Sequence, residues 1–227
     1  MEIKPIAYFR SPFSSKFGIP KQAGLVAELE GQIVFEPEFR NPDALRGMEG
    51  FDYLWLIWEF SANRHKAHSP VVRPPVLGGN EKVGVFATRS PFRPNNIGLS
   101  SVKISHIEWE TPHGPVIHVK GADLMDKTPI FDIKPYVVYA DSHPGARSGF
   151  VDDGICTAKT LEEISEDVDR HLRLQGLNAE KIEILKEVLA QDPRPHYQKD
   201  PHKVYGMPYE GLDIHFTVCD HTLTVVK

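Results

Sequence analysis

Residues 51–60, FDYLWLIWEF, decide the fold that we expect for this chain. The run is aromatic and branched aliphatic, and it is too short and too aromatic for a surface helix. It therefore predicts a strand buried on both faces. Further strand-like segments, separated by turn signals, lie at residues 3–9, 83–88, 99–109, 116–120 and 130–138. These strands do not alternate with long helices and GxGxxG is absent, so the sequence predicts a closed or sandwiched β domain and not a Rossmann fold.

Two local signals lie in the first quarter of the chain. Residues 25–29 and 32–35 predict a hairpin that turns at residues 30–31, Glu-Gly. Residues 41–43, Asn-Pro-Asp, predict a helix start with the asparagine as its cap.

A composition shift at residues 140–154, rich in Gly, Asp and Ser, predicts a linker. Beyond it, Gly176 ends one predicted helix and Asn178 caps the next, and residues 211–226 predict two strands. A small α+β part therefore follows the β domain. The apolar residues with helical spacing are Leu161, Ile164, Val168 and Leu172 in the first helix, and Ile182, Leu185, Val188 and Leu189 in the second.

Charge and cysteine content restrict the function classes. The chain has 227 residues and a formal net charge of −5, which argues against non-specific nucleic-acid binding. Basic residues nevertheless concentrate between residues 61 and 104. No run approaches the ~18 apolar residues of a membrane helix, and the N-terminus shows no secretory signal. Cys156 and Cys219 lack metal-type spacing, so we expect free thiols in a reducing cytoplasm.

A rigid cationic loop occupies residues 71–101, VVRPPVLGGNEKVGVFATRSPFRPNNIGLSS. The prolines that follow Arg89 and Arg93 keep both arginines off a helix, because proline fixes φ and removes a donor. Guanidiniums on a stiff loop are candidate contacts for an anion or a nucleotide. Arg194, between two prolines, is a further rigid cation. A solvated basic surface is the alternative that the charge pattern leaves open.

Carboxylates form a second polar cluster in residues 123–132, DLMDKTPIFD. Asp123 or Asp126 could hydrogen-bond a ribose, attract a cation or accept a proton from a nucleophile. Capping of the following turn is the alternative for Asp126. The histidines lack HxxxH spacing, and His65 and His68 have no carboxylate or Cys at ligand spacing, so we expect no metal site.

Taken together, these residues resemble the TsaA-like, or TrmO-type, tRNA methyltransferases. The resemblance spans almost the whole β domain and reaches into the C-terminal part, and its ATRSPFRPN-IGLS motif is long and specific. The segments that carry it are PKQAG (20–24), GFDYLWLIWEF (50–60), VRPPVLGGN (72–80), GVFATRSPFRPNNIGLS (84–100), DLMDKTPIFDIKPY (123–136) and AQDPRPHY (190–197).

The resemblance implies a mainly β protein with two domains. Residues 1–142 would form a single-sheet β-barrel that binds S-adenosylmethionine, and residues 155–227 a small C-terminal α+β domain of two helices and a β-hairpin. It also implies methylation of N6 of threonylcarbamoyladenosine at position 37 of tRNA, beside the anticodon, by a cytoplasmic homodimer.

The family's site residues transfer to this chain by motif. Asp123, Asp126 and Arg89 are the candidate catalytic residues: the carboxylates would hold the cofactor's polar groups, with one near the proton of the target nitrogen. The family commonly has Gly where Lys127 stands, and its members can carry larger polar side chains at residues 61–62. The implied cofactor contacts are Pro20, Lys21, Gln22, Ser61, Ala62, Arg89, Leu99, Asp123, Leu124, Met125 and Asp126, and the implied contacts to RNA phosphate or the threonyl group are Arg73, Arg93 and Arg194.

Two other functions stay open on the residues alone. A non-catalytic β-barrel that binds a nucleotide-like ligand, as a sensor or adaptor, would use the same cationic loop. A hydrolase or other cofactor-free enzyme would use the carboxylates. Transfer of labelled methyl to tRNA would separate the enzyme from the sensor, and calorimetry with S-adenosylmethionine would separate it from the hydrolase.

Overall fold

The computed structural model describes residues 2–63, 69–152, 163–164, 167–195, 198 and 200–226. The described part is mainly β, as predicted, and its C-terminal portion mixes helices with strands. Within these residues, no helix is long and apolar enough to cross a membrane.

Six strands of the N-terminal domain close into an antiparallel barrel in the order β1-β2-β7-β6-β3-β8. The closing pair is β1 with β8, where Ala7 lies opposite Ile130. β4 and β5 pair separately as a two-stranded ribbon. The strand bounds are β1 (Ala7–Arg10), β2 (Glu30–Phe35), β3 (Tyr53–Glu59), β4 (Val71–Val72), β5 (Val83–Gly84), β6 (Ile97–Glu108), β7 (Val116–Lys120) and β8 (Pro129–Pro135).

Strand β3 contains the aromatic run, and its burial alternates. Leu54, Leu56 and Trp58 are buried inside the barrel, whereas Tyr53 is 43% exposed. The prediction of a strand buried on both faces is therefore wrong. In a closed barrel, successive side chains point alternately inward and outward, and the outward aromatic residues pack on their neighbours instead of in a core. The ring centroids of Trp55 and Tyr136, for example, are 5.7 Å apart.

The predicted hairpin of residues 25–29 with β2 is also wrong, because β2 pairs with β1 and β7. Val26 and Leu29 are buried in a different core, so tertiary packing overrides their strand-like pattern. Because Gly31 of β2 has no side chain, the Phe9 ring can pack beside it in the barrel interior. A Cβ at that position would lie 2.2 Å from the ring of Phe9, which occupies the space that a side chain would need.

The described part of the C-terminal domain is a four-stranded sheet with two helices. The sheet order is β10-β11-β12-β9, with β9 parallel to β12. The two strands predicted within residues 211–226 are confirmed, and β9 and β10 are additional. Ile164 belongs to β9 and not to the first helix, which starts later than predicted; Leu161 and Cys156 lie outside the described residues. The bounds beyond β8 are α1 (Val138–Asp141), β9 (Glu163–Ile164), α2 (Asp167–Leu174), α3 (Ala179–Ala190), β10 (Tyr205–Tyr209), β11 (Leu212–Cys219) and β12 (Thr222–Val226).

The predicted helix signals are confirmed at three positions. Asn41 Oδ1 accepts from the Asp43 N–H at 3.0 Å, at the start of a single 3-10 turn, Pro42–Leu45. Asn178 Oδ1 accepts from the Lys181 N–H at 2.9 Å and caps α3. Gly176 follows α2 with φ of 94°, the left-handed conformation that ends many helices.

The apolar side chains form two separate cores. One fills the barrel, and the other lies between the helices and the sheet of the C-terminal domain. The second core also contains Phe13, Val26 and Leu29, which come from the segment between β1 and β2. We call residues 11–29 the β1–β2 segment; it belongs to the barrel by sequence and to the C-terminal core by packing.

Candidate active site

A cavity of about 580 Å³ opens beside the barrel wall, within the size range of small-ligand sites. Its walls come from the β1–β2 segment, the residues after β3, the loop before β6 and the residues after β7. All predicted cofactor contacts except Leu124 and Asp126 line this cavity: Pro20, Lys21, Gln22, Ser61, Ala62, Arg89, Leu99, Asp123 and Met125.

Strand pairing explains why residues so far apart in sequence meet here. β3 and β6 are antiparallel neighbours, and Trp58 lies opposite Gly98, so the residues after β3 lie beside the start of β6. The Gly24 N–H donates to the Gly121 carbonyl at 2.8 Å and ties the β1–β2 segment to the turn after β7. Asp123 follows that turn directly.

Asp123 is the most perturbed group in the cavity. Its Oδ1 accepts from the Ser100 hydroxyl at 2.6 Å, and the Ser100 Oγ accepts from the indole N–H of Trp58 at 3.0 Å. Burial raises the pKa of Asp123, and this effect exceeds the opposing effects of Ser100, of the backbone amides of Asp123 and Ala23, and of the Arg89 charge. The protein therefore compensates the carboxylate charge incompletely, which leaves it available to a cationic or hydrogen-bonding ligand.

Arg89 connects two walls of the cavity. Its guanidinium donates to the Gln22 Oε1 of the β1–β2 segment. Its charge also acts on Asp123, where it lowers the carboxyl pKa against the larger effect of burial. Arg89 and Asp123 thus lie on one cavity, as the sequence hypothesis requires.

Leu124 and Asp126, the two predicted cofactor contacts that do not line the cavity, have different surroundings. Leu124 is buried in the barrel core. Asp126 lies outside the cavity, where its Oδ1 accepts from the Ser11 N–H at 3.3 Å and lies 4.0 Å from an Arg10 nitrogen. Lys127, where the family commonly has Gly, adopts φ of 62°, which is the left-handed conformation that favours glycine.

The three arginines assigned to RNA or the threonyl group differ in availability. Arg73 is exposed and lies outside the cavity wall. Arg93 lines the cavity, but its Nη1 donates to the carbonyls of Thr88 at 2.8 Å and Val85 at 3.2 Å, so it braces its own loop. Arg194 forms a two-pronged ion pair with Asp192, with distances of 2.8 and 2.9 Å.

Sequence reasoning missed several residues of the cavity. Ser100 donates a hydrogen bond to Asp123. The sequence signal that could have identified it is the IGLS motif, in which Ser100 and Gly98 share the inward face of β6. Lys16, Ile19 and Asn63 line the wall next to predicted contacts. Among the described residues, no group of three or more His, Cys, Asp or Glu could hold a metal ion; His65 and His68 lie outside that part.

Two family models match the chain. The model described as tRNA-methyltransferase O N-terminal domain matches residues 8–142, and the model of the TrmO C-terminal domain matches residues 158–227. Together they span the barrel and the C-terminal domain.

Individual proteins match over similar lengths. The tRNA (adenine(37)-N6)-methyltransferase of Escherichia coli (strain K12) is 35% identical over 221 residues, which are 96% of this chain and 94% of that protein. A "Probable S-adenosyl-L-methionine-binding protein" of Pyrococcus abyssi is 35% identical over 164 residues, 72% of this chain and 82% of that one. The crystal structure of TrmO from Pseudomonas aeruginosa superposes with a TM-score of 0.75 at 32% identity, covering 100% of this chain and 98% of that chain.

Proposed function

The chain belongs to the tRNA-methyltransferase O family, and from this premise we propose that it transfers a methyl group from S-adenosylmethionine to N6 of threonylcarbamoyladenosine at position 37 of tRNA. The observation that supports this proposal best is a single cavity that unites the half-buried carboxylate of Asp123 with the cationic loop of Arg89.

The donor groups of the cavity fit S-adenosylmethionine. When bound, this cofactor supplies an electrophilic methyl group on a positively charged sulfonium. Asp123 offers an incompletely compensated negative charge for the cationic or hydroxyl groups of the ligand. Arg89 offers a cation for a carboxylate, and Leu99 and Met125 offer apolar wall for the less polar parts.

The chain's contribution to transfer is mainly alignment, because an in-line displacement needs donor and acceptor held at the right distance and angle. The acceptor nitrogen is amide-like and a weak nucleophile, so the proton it loses needs a recipient. Asp123 is the carboxylate that lies on the cavity, and its raised pKa suits it to accept a proton. We assign Asp126 the role of holding the Ser11 backbone and not a role in transfer.

We assign contacts to the RNA by what each arginine already binds. Arg93 and Arg194 are engaged by carbonyls and by Asp192, so we assign them to loop structure. Arg73 is exposed in the cationic loop of residues 71–101 and is the candidate phosphate contact. Lys16 and Lys21 line the cavity and add positive charge to its wall.

We also propose that the protein is a homodimer in the cytoplasm. The outward face of β3 and β6 carries exposed apolar side chains: Leu99 is 57% exposed, and Ile97 and Tyr53 are also exposed. Leu99 and Ile97 line the cavity as well, so a second copy seated on this face would cover its open side. Such a contact would bury apolar surface and exclude water from the site at once.

The test uses tRNA in two forms. Purified protein is incubated with S-adenosylmethionine and either tRNA that carries threonylcarbamoyladenosine or an unmodified transcript, and the nucleosides are analysed by mass spectrometry. We expect methylation of the modified tRNA alone. Methylation of both forms would reject the substrate, and binding of S-adenosylmethionine without transfer to any tRNA would favour the sensor.

A further inference from the structure

The β1–β2 segment faces the cofactor cavity on one side and the core of the C-terminal domain on the other. We propose that the C-terminal domain holds this segment in its binding conformation, with Phe17 and Met207 as positioning residues for cofactor binding. The inference rests on the proposed function, because it takes Pro20, Lys21 and Gln22 as cofactor contacts.

The segment is part of the C-terminal core. Phe13 is fully buried there, and its ring centroid lies 5.5 Å from that of Tyr209 in β10. The Glu210 N–H donates to the Pro12 carbonyl at 3.0 Å, so backbone and side chain both attach the beginning of the segment to the strand. Removing the sheet of the C-terminal domain would expose these residues.

Phe17 and Gly18 make the contacts nearest to the cavity. The Phe17 ring stacks on Tyr205 and Phe216, with centroid distances of 6.5 and 6.4 Å and interplanar angles of 11° and 14°. Gly18 lies directly on Met207: a Cβ there would be 2.0 Å from its sulfur. Gly18 also has φ of 92°, so the backbone turns sharply at this contact.

Only Ile19 separates this contact from the first cofactor residue. Ile19 itself packs against the C-terminal core and lines the cavity, so it touches both sides of the segment. Pro20 follows with a fixed φ, which limits how far the chain can bend before Lys21 and Gln22. A shift of Phe17 or Gly18 is therefore passed to the cavity wall.

The charges on the two sides are also coupled. Burial opposes ionisation of Asp192 at the end of α3, but the hydrogen bonds and charge of Arg194 outweigh it, and the charge of Lys21 helps to lower the Asp192 pKa. The β1–β2 segment thus interacts electrostatically with the C-terminal domain, in addition to its apolar contacts.

The expected effect follows from the fraction of molecules in which the β1–β2 segment is docked on the C-terminal core. If the segment leaves the C-terminal core, the binding-competent fraction falls and the apparent Kd rises in inverse proportion. A variant that leaves only about a tenth of the molecules docked would raise the Kd for S-adenosylmethionine about tenfold. The kcat at saturating cofactor would stay near that of the wild type, because the groups on the cavity are unchanged.

The experiment compares Phe17→Ala and Met207→Ala with the matched control Leu223→Ala in the full chain. Leu223 is fully buried in the same core but lies on β12, on the far side of β11 from β10. Calorimetry gives the Kd for S-adenosylmethionine, thermal unfolding gives stability, and steady-state assays give KM and kcat separately. Phe17→Tyr keeps the ring and tests rescue.

We expect Phe17→Ala and Met207→Ala to raise Kd and KM about tenfold, and Phe17→Tyr to bind nearly as well as wild type. Leu223→Ala should lower the unfolding temperature and leave Kd unchanged well below it. Unchanged Kd in both positioning variants, or an equal rise in Leu223→Ala, would overturn the inference. If the wild type itself bound no S-adenosylmethionine, the proposed function would fail instead.

Discussion

Asn in place of Asp123 removes one charge from the cavity wall and keeps the shape of the side chain. The Ser100 hydroxyl can still donate to the amide oxygen, as it donates to Oδ1 of the carboxylate at 2.6 Å. The variant therefore isolates the effect of the charge on binding and transfer. We expect weaker binding of S-adenosylmethionine and loss of methyl transfer.

The magnitude follows from the surroundings of the carboxylate. Asp123 lies on the cavity, and burial leaves its charge incompletely compensated. One hydrogen bond to a charged group contributes about 1.5–3 kcal/mol in proteins, so its loss corresponds to a roughly 10- to 150-fold rise in Kd. Isothermal calorimetry at neutral pH measures this rise directly.

Asp123→Asn should weaken cofactor binding, but it should not lower the stability of the fold at neutral pH. Burial raises the pKa of Asp123 above its ordinary 3.8, so the folded protein holds this proton more tightly than the unfolded chain. The resulting contribution to stability is complete below pH 3.8 and is lost as pH rises through the raised pKa. Asp123→Asn lacks this titration. In urea titrations across this range, wild type should lose stability relative to the variant, which should be at least as stable at neutral pH.

Asp126→Asn is the control, since Asp126 belongs to the same carboxylate cluster, residues 123–132, but lies outside the cavity. It should bind S-adenosylmethionine as the wild type does. The reasoning is refuted if Asp123→Asn keeps wild-type affinity, if it is markedly less stable than wild type at neutral pH, or if Asp126→Asn weakens binding equally.

Three further changes test other parts of the structure. Arg89→Ala should raise the Kd for S-adenosylmethionine at least about tenfold with an unchanged circular dichroism spectrum, because it loses the hydrogen bond to Gln22 and the positive charge that acts on Asp123; wild-type activity in the soluble variant would reject this role. Leu99→Glu should convert the proposed dimer to a monomer in sedimentation velocity, whereas Leu174→Glu, on the exposed surface of α2, should not; a dimer in both variants would place the interface elsewhere. Gly31→Ala should lower the free energy of unfolding by about 1–3 kcal/mol, because its Cβ would meet the Phe9 ring. Gly50→Ala, with nothing within 4 Å of its Cβ, is the control in the same urea titration, and equal losses would show that the barrel tolerates the larger side chain.

Much of the cavity wall could be predicted from the sequence, because the family motifs that the chain resembles are contiguous. Short motifs enter the cavity wall together: all of residues 20–22 line it, and so do residues 61–62. Asp123 and Asp126 show the limit of this approach. They lie three residues apart in one motif, yet residues 123 and 125 line the cavity and residues 124 and 126 do not, an alternation that the motif does not reveal.

The sequence by itself determined the features that depend on near neighbours: the caps at Asn41 and Asn178, the helix end at Gly176, and the strand character of β3. Only the tertiary structure decided which apolar faces meet. Residues 25–29 look like a strand but pack into the C-terminal core, and β9 exists through its pairing with β12, more than 50 residues away. The physical reason is that caps and turns are stabilised by bonds a few residues apart, whereas burial depends on whichever remote surface removes an apolar side chain from water.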